Sequence, residues 1–245
     1  MIVSIHQPNY LPWTTLIHKI ASSDIFVVFD DVQLVRGKSF VIRTRIKTIG
    51  GIKWLTVPVK NKSSLLNINQ IELNNEIDWA KKQCNTIKSN YSNTEYFLNY
   101  YELFESALME KTEKLIQLNV SLLKIILDIL EIKTKIVMSS ELNIKNNGTE
   151  KIIEILKSLN TKQFLSGIGK GSSKYTIGKE NLYEREGIDV IYQKFVTPQY
   201  SQLFDEFIPD LSIIDMLFNM GKEKTQEIIY AEINTDIDIL EVSTV

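Results

Sequence analysis

Apolar and polar positions follow two rhythms along this chain, and each change of rhythm marks an element. The first run, Met1 to Ile5, places Val3 and Ile5 as a buried strand would. "TTLIHKIASS" then reads as a short helix, and "DIFVVFDDV" as a buried strand with acids at its carboxyl end. Strand, turn, helix and strand within roughly 30 residues predict a βαβ unit with a right-handed crossover. "SFVIRTRIKT" and "IKWLTVPVK" are alternating or β-branched runs separated by Ile49, Gly50 and Gly51, which predicts a hairpin. Alternation puts Val41, Arg43, Arg45 and Lys47 on one face of its first strand and Ile42, Thr44 and Ile46 on the other, so one face is cationic.

From Asp78 the period becomes helical, first in "DWAKKQCNTIKSNY" and then in a stretch from Thr94 long enough for two helices. In the second of these, Leu115, Leu118, Leu122, Ile126 and Ile129 form the stripe of a core helix. The second half returns to α/β order: "KIVMSS" a strand, "TEKIIEILKSL" a helix capped by Thr149, "KQFLSG" a strand, a helix containing "ENLYERE", and "IDVIYQKF" a strand. "SIIDMLFNMG" predicts a helix stopped at Gly221. The expected fold is α/β, a mainly parallel Rossmann-like sheet with an antiparallel hairpin excursion and a helical insertion. Residues 1–232 are expected to form one domain with the insertion at about 78–131, and 233–245 a weakly ordered tail.

Composition narrows the class of protein. The chain has 245 residues, 44% apolar and 24% charged, with 28 Lys and Arg against 30 Asp and Glu, so its net charge calls for neither nucleic acid nor an acidic membrane surface. A single cysteine, Cys84, excludes an internal disulfide framework and any multi-cysteine zinc site. The longest apolar region, "LLKIILDILEI", is broken by Lys124, Asp128 and Glu131, well short of the roughly 20 apolar residues of a membrane span. With no basic start followed by an apolar stretch, the expectation is a cytoplasmic protein with no membrane span.

Candidate chemistry falls in four clusters: "HQPNYLPW", "FDDVQ", "RTRIK" and "SGIGKGSSKY". His6 leaves a buried strand at the rim where open α/β sheets bind ligands, and an imidazole suits proton transfer at neutral pH. Gln7, Asn9 and Tyr10 follow it, with Pro8 and Pro12 stiffening the loop. Asp30, Asp31 and Gln33 end the next strand, and at most one of the two adjacent acids faces a given pocket. Ser166, Gly167, Gly169, Lys170, Gly171 and Tyr175 belong to a glycine-rich loop directly after a strand, where backbone N–H groups can converge on a phosphate. That loop fits neither a Walker A nor a dinucleotide fingerprint, and Lys174 adds a second charge to it.

Taken in order, "SIHQPNYLPW", "KIASSDIFVVFDDVQ", "RTRIK" with "WLTVPVK", "SSEL", "FLSGIGKGSSKY", "PQYSQ" and "LSIIDMLFNMG" resemble the WbqC-like family over Ile2 to Gly221. The chain departs from that pattern where Thr44 follows Arg43 in place of Asn, in the Lys82, Gln83, Cys84 stretch, and at Thr197, so that His6 is the one motif histidine it keeps. The resemblance implies a role in bacterial surface-polysaccharide (O-antigen) biosynthesis and transfer of glycine to an amino sugar. The reading is therefore an N-acyl or aminoacyl transferase with a nucleotide-linked amino sugar as acceptor and an aminoacyl-tRNA, a carrier-protein thioester or a free amino acid with ATP as candidate donors. A homodimer is a candidate assembly, and no cofactor is named. In this reading His6 is the base, Asp30 orients His6 or the amine, and Arg43, Lys47 and the Gly167 to Gly171 loop hold phosphates. Two alternatives stand beside it: a nucleotidyltransferase-like, ATP-dependent activating enzyme with magnesium on Asp30 or Asp31, and a non-catalytic sugar-nucleotide binding scaffold.

Overall fold

The structure, a computed structural model, describes residues 1–34, 39–60, 66–204 and 206–231. The tail expected at 233–245 lies outside them. The chain begins with β1 (Ile2–His6), α1 (Thr14–Ala21) and β2 (Ile25–Val28), followed by the hairpin β3 (Arg43–Thr48) and β4 (Gly51–Thr56). Three helices come next, α2 (Trp79–Tyr91), α3 (Phe97–Met109) and α4 (Leu115–Ile129). The chain then runs through β5 (Lys135–Met138), α5 (Gly148–Ser158), β6 (Gln163–Ser166), α6 (Lys170–Thr176), α7 (Glu180–Glu184), β7 (Asp189–Tyr192) and α8 (Ile213–Tyr230).

Five strands make one parallel sheet in the order β5-β2-β1-β6-β7, while β3 and β4 pair antiparallel as a separate ribbon. From β1 the chain steps outward to β2 and β5, then returns to the other side of β1 for β6 and β7. Its direction reverses between β1 and β6. That reversal leaves a crevice beyond the carboxyl ends of these two strands, the place where open α/β sheets take their ligands.

Strand alternation divides the core in two. Val3, Ile5, Ile25 and Val27 pack with Ile152, Ile155 and Leu156 of α5 and Tyr183 of α7. Phe26 and Val28 point to the opposite face and join a larger core with Leu16, Ile17 and Ile20 of α1, the helices α2 to α4, the hairpin and α8. With both faces covered, the short apolar runs of β1 and β2 are explained.

The structure corrects three local expectations. Thr149 does not cap α5: the N-cap is Asn147, and the Thr149 hydroxyl donates to the Tyr175 carbonyl (3.1 Å). Gly221 does not end α8 but kinks it, with φ 74° and ψ 178°, and the helix resumes to Tyr230. The glycine-rich stretch is only partly loop, because Lys170 and Gly171 already belong to α6.

Candidate functional site

The loop after β1 is fixed from several sides. Asn119 of α4 donates through Nδ2 to the carbonyls of Pro8 and Val41, both at 2.8 Å. The Tyr10 amide donates to the Phe40 carbonyl (2.9 Å), the Thr44 hydroxyl to the Leu11 carbonyl (2.8 Å), and the Ile213 amide to the Pro12 carbonyl (2.8 Å). Leu11 is held at φ 42°, a left-handed conformation that costs a leucine energy and persists only where surrounding bonds impose it. A loop so anchored presents its remaining polar groups in one geometry.

Those groups open into a pocket of about 480 Å³ at the switch point. The first loop and α1 contribute His6, Gln7, Asn9, Trp13, Thr15 and Lys19. Ser166, Gly167, Ile168 and Gly169 after β6, and Gly171, Ser172, Lys174 and Tyr175 from α6, form the facing wall. Phe29, Phe40, Phe164 and Phe195 add aromatic surface, and Gln193 a further amide. A Cβ added at Gly169 or Gly171 would meet nothing within 4 Å, so a ligand can approach this backbone closely. Asn9 is 5% exposed and its Nδ2 has no hydrogen-bond partner among the described residues, a buried donor for which a bound group would compensate.

Two bases stand at the head of the pocket. His6 Nδ1 lies 2.8 Å from the Gln7 carbonyl, which can only accept, so Nδ1 carries the proton and Nε2 is left as an acceptor. Burial, together with the nearby Lys19 charge, lowers its pKa to about 4, and the ring is neutral at physiological pH. Lys19 is 2% exposed and donates to the Ile5 carbonyl (3.1 Å). Burial lowers its pKa to about 7. In sequence Lys19 resembles a solvated lysine on a short helix; the signal that it is enclosed lies in its apolar neighbours on α1, Ile17 and Ile20.

An aromatic ladder leaves the pocket along the hairpin. His6 meets Trp13 edge-on at 6.2 Å between centroids, Trp13 meets Phe40 at 4.4 Å, and Phe40 meets Trp54 at 5.6 Å. The Arg43 guanidinium covers Trp54, 3.9 Å from its centroid.

Of the residues expected at the site, the pocket gathers His6, Gln7, Asn9, Ser166, Gly167, Gly169, Gly171 and Tyr175. The others, apart from Lys170, of which the structure describes the backbone alone, are engaged elsewhere. Asp30 follows β2 at the same rim but turns toward β5, where its carboxylate accepts from Ser139 Oγ (3.0 Å), Ser140 N (2.9 Å) and Ser140 Oγ (2.7 Å). It is 2% exposed and secures the 3-10 turn Ser139–Leu142. Asp31 pairs with Lys151 at 2.6 Å. The Tyr10 hydroxyl, buried, donates to Gln83 Oε1 (2.7 Å). Gln33 is exposed and bridges to Asn67. Lys47 is 2% exposed and its ammonium donates to the carbonyls of Phe204 and Glu206, so the cationic face expected of the hairpin is partly a buried one. Arg43 is the ladder residue above Trp54, and Lys170 is the first residue of α6.

Fold and pocket together define an α/β protein with helices on both sides of a parallel sheet and a mixed aromatic and polar pocket at its switch point. The chain belongs to the WbqC-like protein family, whose model matches residues 7–227. It is 31% identical over 223 residues to "Uncharacterized protein Rv1507c" of Mycobacterium tuberculosis (strain ATCC 25618 / H37Rv), a span covering 90% of this chain and 94% of that relative. No solved structure matches. Among the described residues no helix is long and apolar enough to cross a membrane.

Proposed function

We propose that this protein is an N-acyl or aminoacyl transferase that modifies the amino group of a nucleotide-linked amino sugar, glycine being the group the family resemblance points to, in the assembly of bacterial surface polysaccharide. One observation carries the reading: the loop bearing His6 and the glycine-rich turn after β6 line the same pocket at the switch point. A neutral acceptor nitrogen and an open backbone cradle then serve two ends of one ligand. The phosphates lie against Gly167 to Gly171 with Lys174 as counter-charge, the aromatic walls take the planar base or the apolar faces of the sugar, and the amine lies at His6. His6 Nε2 accepts a hydrogen bond from that amine and aligns its lone pair, and alignment is a large part of the acceleration in a two-substrate reaction. Asn9 Nδ2 supplies a donor for the acyl carbonyl oxygen as charge develops on it.

The test is titration of nucleoside diphosphate amino sugars, with and without magnesium, followed by incubation with glycyl-tRNA or an acyl thioester and mass measurement of the sugar. Metal-independent binding with gain of an acyl mass supports the reading. Binding without turnover assigns the protein to the scaffold class, and binding only of triphosphates with magnesium assigns it to nucleotidyl transfer.

A further inference from the structure

Lys19 is a lysine in the wrong place for a structural role. Its side chain is removed from solvent, yet it lines the pocket, and among the described residues its ammonium nitrogen bonds to the Ile5 carbonyl alone. Among the described residues no carboxylate lies within ion-pair distance of its Nζ. A buried ammonium without a counter-charge is costly, whereas a neutral amine is not.

The surrounding titratable groups do not relieve that cost. His6 at the end of β1 is neutral, and His18, the preceding residue on α1, is stacked on Phe195 at 4.1 Å and also held neutral by burial. Lys174 and Tyr175 of α6 line the same pocket, and neither is a carboxylate. Asp215 lies on α8, which packs against α1, but its two carboxylate oxygens accept from Tyr91 (2.7 Å) and Tyr200 (2.8 Å).

We infer that Lys19 is the proton acceptor of the pocket: as a free amine beside His6, it takes the proton from the acceptor's ammonium group before acyl transfer. This rests on the transferase reading of the same pocket. The lowered pKa of about 7 agrees with it, because proton transfer is most efficient when the catalytic pKa lies near the working pH, and the His6 pKa of about 4 is too low for an ammonium proton. One proton passes from the acceptor ammonium to Lys19 Nζ. The freed nitrogen lone pair forms the C–N bond with the acyl carbon, the bond from that carbon to the leaving group breaks with its electron pair, and a second nitrogen proton departs with the leaving group. Lys19 then releases its proton to solvent.

The experiment has two arms. In protein carrying 13C-ε-lysine, the resonance that disappears in Lys19→Met is followed against pH. A midpoint near 7 is expected, and a midpoint near 10 overturns the inference whatever the substrate proves to be. In the second arm, turnover of a nucleoside diphosphate amino sugar with an acyl thioester should rise with pH through the same midpoint. It should fall about a hundredfold or more in Lys19→Met and Lys19→Gln while affinity for the nucleotide sugar changes only a few-fold. Circular dichroism identifies any variant that fails to fold, and two replacements of different polarity guard against that outcome. Near-normal turnover in either folded variant overturns the inference. A wild-type protein that turns nothing over with either glycyl-tRNA or an acyl thioester, with a Lys19 midpoint near 7, overturns the transferase reading and the acceptor role, while leaving a lysine of lowered pKa in the pocket as fact.

Discussion

Lys151 Nζ lies 2.6 Å from Asp31 Oδ2, with the two side chains 5% and 16% exposed. The ammonium also donates to the Ile144 carbonyl (3.1 Å), and Asp31 Oδ1 lies 2.5 Å from Ser139 Oγ. One ion pair thus ties α5 to the turn after β2 and to the end of β5. Removing one member leaves a buried charge uncompensated, so Lys151→Met should cost about 3 kcal/mol, or roughly 6–12 °C in Tm for a chain of this size. The double variant Lys151→Met, Asp31→Asn should recover part of that loss. Thermal unfolding decides the point, and an unchanged Tm in the single variant would show the pair to be solvated.

Asp30 and His6 follow neighbouring strands at one rim, but their replacements should behave oppositely. Asp30→Ala removes the acceptor of the Ser140 amide and hydroxyl and of a Ser139 hydroxyl shared with Asp31, and should lower stability by about 2–3 kcal/mol, leaving ligand binding at the pocket intact. His6→Ala removes an edge contact with Trp13 and the bond to the Gln7 carbonyl, and should change stability by only about 1 kcal/mol while turnover falls about a hundredfold. Urea unfolding and kinetics on the two variants separate these outcomes. A turnover loss in Asp30→Ala at full fold would return the carboxylate to the reaction.

Which features were legible in the sequence follows from how local their causes are. The βαβ opening, the hairpin and the core helix α4 all rest on periodicity and glycine punctuation within ten or fifteen residues, and they stand where expected. His6 and the glycine turn could be placed together because both follow strands of one parallel sheet. The fate of Asp30 depended instead on Ser139 and Ser140, more than a hundred residues away, and that of Lys47 on the carbonyls of Phe204 and Glu206. Those pairings are set by tertiary packing and carry no spacing signal. Lys19 was missed for the same reason: whether a helical lysine is solvated or enclosed is decided by what packs on the helix, here the sheet and α8.

Gly221 holds α8 in two segments. Its φ of 74° and ψ of 178° lie in a region essentially reserved for glycine, and an added Cβ would come within 2.7 Å of the Tyr96 ring. Gly221→Ala should therefore cost about 2–3 kcal/mol. Combining it with Tyr96→Ala removes the clash but not the backbone strain, so the double variant should remain less stable than Tyr96→Ala alone. Denaturant melts of the three variants measure both contributions, and equal stability of the double variant and Tyr96→Ala would mean that the kink carries no strain.

Both histidines are held neutral, which fixes how stability should respond to acid. His18 Nδ1 lies 2.9 Å from Gln193 Nε2, an amide whose orientation is set by its own 2.9 Å bond to the Thr15 carbonyl, so Nδ1 is an acceptor and has no room for a proton. Burial lowers the His18 pKa from 6.5 to about 4, and His6 falls to about the same value. Between pH 6.5 and 4 the unfolded chain therefore binds more protons at these sites than the folded one, and stability rises with pH across that window. Read downward, the loss begins below 6.5 and is complete near 4, on the order of 2–3 kcal/mol for the buried His18. Replacing His18 by Phe keeps the stack on Phe195 and removes the titration. Urea unfolding at pH 4.5, 5.5, 6.5 and 7.5 should give a shallower pH slope for His18→Phe than for wild type; parallel curves would mean that His18 becomes protonated without leaving its site.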